Sequence, residues 1–380
     1  MKLLHSRSHL FKHLRITLIA FFTFNASAAE PDKKPNIIIF LADDLGYADL
    51  GVHGCKDIPT PNIDSIAQNG ARFTDAYANA PIGTPTRAAL LSGVYPQSIG
   101  MEDFNHITGP LHSSVKTLPD RLRAAGYTTA AIGKWDLGAR NGYTPTDRGF
   151  DEFFGFHANS HAYVTKEGTN SPFHAPLFRN TEPFIEKRYL TDAFGDEAVA
   201  FIDRQKSASK PFFLYLAFNA AHTPLDTPEH YKKKFPEIHE YLRRTYAIAV
   251  SAMDDAIGKV LAKLKDSGQL ENSLIIFTND NGGPITRTVL NGSINSPLRG
   301  SKFETFEGGI RVPLLLQWPN KIRNGMVYRH PVITFDITAT ALRAAGADAE
   351  GITGVDLFPF LKGKGTSKPH DVLFWRSRIR

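Results

Sequence analysis

The chain has 380 residues, 42% of them hydrophobic and 22% charged, with a formal net charge of +6 and a single cysteine. Four of its cations, Lys2, Arg7, Lys12 and Arg15, precede an apolar run from Ile16 to Phe24 and the triplet Ala26-Ser27-Ala28; without residues 1–28 the charge is +2. That near-neutral remainder argues against a nucleic-acid partner, and one cysteine, Cys55, excludes an internal disulfide framework.

The basic start, the short apolar run and the A-x-A triplet read as a secretory signal peptide over 1–28. The apolar run is about half of the ~20 residues a membrane span needs, so no stable anchor is expected after cleavage. The expected location is secreted or periplasmic. Basic residues gather again at the far end (Lys362, Lys364, Lys368, Arg376, Arg378, Arg380), a pattern usual for a solvated face.

Past the leader, IIIFLA (37–42) is a buried-strand run that ends in Asp43-Asp44. Thr60-Pro61 opens a helix closed by Gly70, and Thr84-Pro85 opens another closed by Gly93, with Thr84 in the position of an N-cap. A helix over 118–125 stops at Gly126, and the strand run TTAAIG (128–133) leads into Lys134-Trp135-Asp136. Asp192 to Gln205 is amphipathic; FFLYLAF (212–218) then leads to His222. A long helix over about 238–265 carries Tyr246, Val250, Met253, Ile257, Val260 and Leu264 on one face. LIIFT (274–278) ends in Asp280-Asn281, and VPLLLQW (312–318) follows a glycine pair. The last stretch, HDVLFWRSRIR (370–380), reads as a strand without a partner.

Continuous apolar runs mark strands buried on both faces, and their alternation with helices predicts an α/β fold with a mostly parallel central sheet flanked by helices. Ligands of such sheets bind beyond the carboxyl ends of the strands. Asp43, Asp44, Asp280 and Asn281 stand there, a set of hard oxygen donors suited to Ca²⁺ or Mg²⁺ rather than zinc, although either pair alone would equally serve a turn or a cap. Arg87, Lys134 and Lys302 supply positive charge. The helix start at Thr84-Pro85-Thr86-Arg87 offers free N–H groups, so the ensemble predicts a site for a tetrahedral oxyanion, sulfate or phosphate. His222 is suited to protonating a leaving oxygen, or is a structural histidine at a strand exit. Within 157–188, His161, Lys166, His174, Arg179 and Arg188 either line the cleft or are ordinary loop residues.

The ordered blocks PNIIIFLADDLGYADLG, TPNIDSIAQNGARFTDAY, TPTRAALLSG, AAIGKWDLG, GFDEFFGF, YLTDAFGDEAVAFI, PFFLYLAFNAAHTPLDTP, FTNDNGG and LRGSKFETFEGGIRVPLLLQWP resemble the sulfatase family, a branch of the alkaline-phosphatase-like superfamily. The resemblance implies a catalytic-type domain over 29–362. It further implies that 363–380 begins a small C-terminal sheet that is cut short. By the same resemblance Asp43, Asp44, Asp280 and Asn281 hold calcium, with magnesium second; Arg87, Lys134 and Lys302 neutralise the sulfuryl group; and His222 assists the departing alcohol. Sulfated carbohydrates or other sulfate esters are the implied substrates. Oligomeric state is not legible.

Two positions depart from the family pattern. Its nucleophile is the first residue of C-x-P-x-R or S-x-P-x-R, oxidised to formylglycine, and here that position is Gly83, which can form no aldehyde. The family's G-K-W-H-L-G histidine is replaced by Asp136. Three readings follow: a sulfuric ester hydrolase impaired at Gly83 and Asp136, a non-catalytic sulfoglycan-binding pseudoenzyme, or a phosphoesterase that uses Thr84 or water. Cys55 lacks the flanking Pro and Arg that would make it a substitute, and is read as a buried or loop thiol.

Overall fold

The alternation of faces along the buried strands sets the architecture. In β1 (Asn36–Ala42), Ile37, Ile39 and Leu41 point into one hydrophobic cluster, while Ile38, Phe40 and Ala42 point into another on the opposite side. A strand with both faces buried needs a layer on each side, so every residue can be apolar. The computed structural model describes residues 33–166, 171–286, 289–362 and 368–377, and from Lys34 onward they belong to one compact unit. The predicted signal peptide, Lys364, Arg378 and Arg380 lie outside the described residues.

The central sheet comprises β1, β2 (Ala71–Phe73), β3 (Thr128–Lys134), β4 (Glu152–Phe156), β5 (Leu177–Arg179), β6 (Glu182–Phe184), β7 (Phe212–Ala217), β8 (Ser273–Asn279), β9 (Leu314–Gln317) and β10 (Met326–Tyr328). Their spatial order is β10-β2-β9-β8-β1-β7-β3-β4-β5-β6. The middle five, β8-β1-β7-β3-β4, are parallel, so their carboxyl ends share one edge. β9 runs antiparallel to both β8 and β2. VPLLLQW is therefore a strand as expected, but one that closes the parallel block.

Helices α1 (Pro61–Gln68), α4 (Leu190–Gln205) and α5 (Tyr241–Asp266) cover one face through residues such as Ile63, Phe194 and Val250. The other face is covered by α2 (Gly83–Ser92), α3 (Leu118–Ala124) and α6 (Phe335–Ala345) through Leu90, Leu122 and Leu342. α4 and α5 approach closely because Gly195 lies against Ala256, where a Cβ would come within 2.8 Å of the alanine methyl. No helix among the described residues is long and apolar enough to cross a membrane.

The C-terminal stretch departs from expectation: 370–377 form no strand. The segment is held instead by single side-chain ties, Trp375 Nε1 to the Ala78 carbonyl at 2.8 Å and Arg376 Nε to Glu102 at 2.7 Å. A strand needs a neighbour's ladder to satisfy its backbone, and an apolar alternation alone does not supply one.

Candidate active site at the carboxyl edge

The parallel strands bring together the groups their sequences place at their ends. Asp43 and Asp44 follow β1, Lys134 ends β3, His222 follows β7, and Asp280-Asn281 follow β8. The turn after β1 is fixed by backbone bonds from Asp43 N to Ala220 O (2.9 Å) and Ala221 N to Asp43 O (2.6 Å). Asn279 accepts from Leu45 N and donates to Leu45 O, and Asn291 donates to the carbonyls of Asp44 and Ala221. These two asparagines carried no signal in the sequence, since each acts on a backbone far away along the chain.

Carboxylates and cations interlock. Lys134 Nζ donates to Asp43 Oδ2 at 2.7 Å, and Lys302 Nζ to Asp44 Oδ2 at 2.8 Å. Arg87 donates to Asp280 Oδ2 through Nη2 (2.8 Å) and Nε (3.1 Å), with Nη2 3.6 Å from Asp43. Asn281 Nδ2 donates to Asp44 Oδ1 at 2.7 Å, and His222 Nε2 stands 3.6 Å from Asp44 Oδ2. All are buried apart from His222, whose side chain is 18% exposed.

Burial pushes the Asp43 carboxyl upward, but Lys134, His222 and Arg87 outweigh it and hold the acid below its ordinary range. Burial likewise raises Asp44, and Lys302 and His222 bring it below the usual value. Asp280 goes the other way: its burial, reinforced by the nearby Asp43, exceeds the help from Arg87. Such opposed shifts within one charge cluster are characteristic of functional sites.

Two buried oxygens, Asp43 Oδ1 and Asn281 Oδ1, have no hydrogen-bond partner. Desolvated acceptors of this kind cost free energy unless something donates to or coordinates them. Ligand atoms of Asp43, Asp44 and His222 lie within 4.8 Å of one another. With carboxylate and amide oxygens dominating, the residues fit a hard divalent cation.

Gly83 is the first residue of α2 and is buried. A Cβ built on it would fall 2.6 Å from Asp280 Oδ2 and 3.6 Å from Arg87 Nε, so the position faces the carboxylate and guanidinium. The N-cap expectation for Thr84 fails: Ile82 is the N-cap, with no side-chain cap, and Thr84 lies within the first turn. Its hydroxyl donates instead to Asp136 Oδ2 at 2.7 Å, a buried acceptor 52 positions away. Asp136 also accepts from Asn105 Nδ2 at 3.1 Å, and burial raises its carboxyl above the ordinary range against the pull of Lys134 and Thr84. Asn105 was likewise unmarked in the sequence.

The sulfatase family profile matches residues 35–347. This chain belongs to the sulfatase family. It is similar to N-acetylgalactosamine-6-sulfatase of Mus musculus, 35% identical over 382 residues that cover 94% of this chain and 72% of the relative. Among solved structures it is similar to Ps i-CgsB in complex with k-i-k-neocarrahexaose, with a TM-score of 0.81, 40% identity and coverage of 86% and 76%. PsFucS1 sulfatase from Pseudoalteromonas sp. aligns with a TM-score of 0.77 and 30% identity over 91% of this chain and 75% of that one. The sulfatase homologues are sulfuric ester hydrolases, and the metal dependence of the family has a counterpart here in the cluster of Asp43, Asp44 and His222.

Other expected ligand-readers of this sulfatase-family chain are occupied elsewhere. His161 is buried with its ring nitrogens on the carbonyls of Ala162 and Ala175, so it is structural. Arg179 pairs with Glu197 and lies over the Phe154 ring; Arg188 pairs with Glu186 and Asp196. Lys166 and His174 meet through the Lys166 N–H and His174 Nδ1, a local loop contact. Cys55 is a half-buried thiol against Asp57, pushed up to about 11 mainly by burial, which makes it a poor nucleophile at neutral pH.

Proposed function

We propose that this protein binds sulfate esters of carbohydrates at the carboxyl edge of its sheet, as a calcium-dependent sulfuric ester hydrolase impaired by the glycine at position 83. The observation that carries this reading is the direction of the missing side chain. A Cβ at Gly83 would come within 2.6 Å of Asp280, inside the acid and cation cluster, yet the residue offers no atom for chemistry. The position matches the formylglycine precursor of the family by its spacing to Pro85 and Arg87. Carbohydrate substrates follow from the N-acetylgalactosamine-6-sulfatase relative and from the neocarrahexaose bound to Ps i-CgsB.

In this reading Asp43, Asp44, Asp280 and Asn281 hold calcium, and when bound it supplies Lewis-acid polarisation of the sulfate oxygens. Arg87, Lys134 and Lys302 orient the sulfate and offset its charge. His222, the most exposed of the set, gives a proton to the departing sugar oxygen. Asp136 holds the Thr84 hydroxyl. The leader over 1–28 supports export to a secreted or periplasmic location, with 29–362 as the functional domain.

Sulfate release from sulfated oligosaccharides tests the proposal: the unmodified protein with calcium is compared with Gly83→Cys co-expressed with a formylglycine-generating enzyme. Turnover by the cysteine variant alone supports it; equal turnover by both sinks it. A second reading rests on the 2.7 Å bond between Thr84 and Asp136, which resembles a hydroxyl nucleophile beside a base. Phosphatase activity in the unmodified protein that Thr84→Ala abolishes would favour it. A binder without turnover predicts sulfated-glycan affinity and no release under either condition.

A further inference from the structure

Next to the cluster lies a pair of aromatic rings that none of the roles above uses. Phe303 directly follows Lys302, whose ammonium sits 2.8 Å from Asp44 and 5.5 Å from the centre of the Phe303 ring. The Phe303 N–H donates to the carbonyl of Pro81 at 2.9 Å, two residues before Gly83. Phe303 has φ of +77°, a left-handed conformation unusual for a bulky side chain. Such a residue persists only where its surroundings hold it, and these outliers gather at ligand sites. Phe104 meets Phe303 edge on, with ring centres 6.4 Å apart, and stacks one face on His106 at 5.5 Å. Its loop is tied to the site by the next residue, Asn105, on Asp136. Both residues are half-buried, so each leaves part of its surface open close to the buried Asp44–Lys302 pair.

We propose that Phe104 and Phe303 form the wall against which the sugar ring of the sulfate ester stacks, and so decide that the site takes a pyranose sulfate over a simple alkyl sulfate. The inference rests on the sulfate-ester reading above and adds the part of the site that reads the alcohol. Its physical basis is that a pyranose presents an apolar face of C–H groups to one side and hydroxyls to its rim. Rigid aromatic surface beside a polar anchor is the usual construction of a ligand site of mixed character. Lys302 and Phe303 are consecutive and the ammonium lies 5.5 Å from the ring centre, so the group that would neutralise the sulfate and the ring that would meet the sugar stand side by side.

Calorimetry on the full chain with calcium tests this, using N-acetylgalactosamine 6-sulfate and methyl sulfate as probes. The variants are Phe303→Gly, which relaxes at positive φ and removes the ring, and Phe104→Leu, which keeps the bulk. The unmodified protein is expected to prefer the sugar sulfate. Each variant is expected to lose that preference by about tenfold with methyl sulfate affinity within twofold, the range set by one buried aromatic contact. Retention of the preference in both variants overturns the inference while the sulfate reading stands. Equal affinity of the unmodified protein for the two probes does the same. Failure to bind either probe overturns the sulfate reading and this inference with it. Loss of methyl sulfate together with the sugar sulfate in both variants assigns the rings to holding Lys302 in place, which also overturns it.

Discussion

Substituting Gly83 by alanine asks whether the position faces Asp280 without introducing any chemistry. The added methyl would begin 2.6 Å from Asp280 Oδ2, well inside the 3.4 Å at which ordinary contact starts, so the carboxylate must give by up to about 0.8 Å. That oxygen accepts both Arg87 bonds, at 2.8 and 3.1 Å, and neither group has solvent to turn to. Loosening a charged buried hydrogen bond costs about 1.5–3 kcal/mol. Against this, replacing glycine in a helix gains up to about 1 kcal/mol, and less in the first turn. Gly83→Ala is therefore expected to destabilise the calcium-free protein by about 1–2 kcal/mol. The diagnostic is a double-mutant cycle with Asp280→Ala, by urea unfolding in chelator at pH 7. With the carboxylate gone the methyl is accommodated and only the helix gain remains, giving a coupling of about 2 kcal/mol, while the cost of stranding Arg87 cancels in the cycle. A coupling below about 0.5 kcal/mol would refute the claim that residue 83 points at Asp280, and with it the claim that a nucleophile there would stand in the cluster.

Lys302→Met should cost about 3–5 kcal/mol in chelator, because Asp44 is left charged and buried; urea midpoints would read it, and weaker calcium binding by this variant would count against Asp44 as a ligand. Burial holds His53 at about 4, against about 6.5 in the unfolded chain, so the unfolded state binds the extra proton between those values and stability falls as pH drops from 6.5 to 4. The residue is half-buried, with Nε2 enclosed and unpartnered, so the loss is about 1–3 kcal/mol, and His53→Phe, which keeps the stack on Tyr47, should flatten the slope of midpoint against pH. Calcium should tighten methyl sulfate binding at least about tenfold, with the same factor in reverse; identical affinity in chelator would show that the acid cluster and anion site are not coupled.

The strands were legible because each buries both faces, which leaves an unbroken apolar run with the functional groups at its end. β1, β3, β7 and β8 all follow this pattern, and the parallel order then brings Asp43, Lys134, His222 and Asp280 to one edge. Direction was not legible for β9: LLLQ satisfies a buried antiparallel position as well as a parallel one, and only its neighbours decide. Thr84 was misread because a threonine before proline is a good local cap, while its actual partner, Asp136, is 52 residues away. Separation along the chain, from 31 to 247 positions, likewise hides Asn279, Asn291 and Asn105, which look like turn residues until the groups they hold are in place. The aromatic stretch 370–377 shows the converse, a local pattern of alternation that no neighbouring strand took up.

Among the described residues at the centre of the site, Asp43, Asp44 and Asp280 face Arg87, Lys134 and Lys302, so the pairs cancel before any ligand arrives. A neutral cluster of that kind has little attraction for an anion, since each cation is already spent on a carboxylate less than 3 Å away. A divalent cation among the carboxylates changes the balance in two ways. It would add net positive charge, and by drawing on the same carboxylate oxygens it would leave Lys134 and Lys302 available to an anion. Asp43 Oδ1 and Asn281 Oδ1, which have no hydrogen-bond partner, are the acceptors such a cation would reach. None of these groups is supplied by residue 83, which bears on the cluster through Asp280, where a Cβ would come within 2.6 Å of Oδ2. Under the function proposed above, the glycine at position 83 withholds a reacting group while the ion pairs that would receive the ligand stay in place.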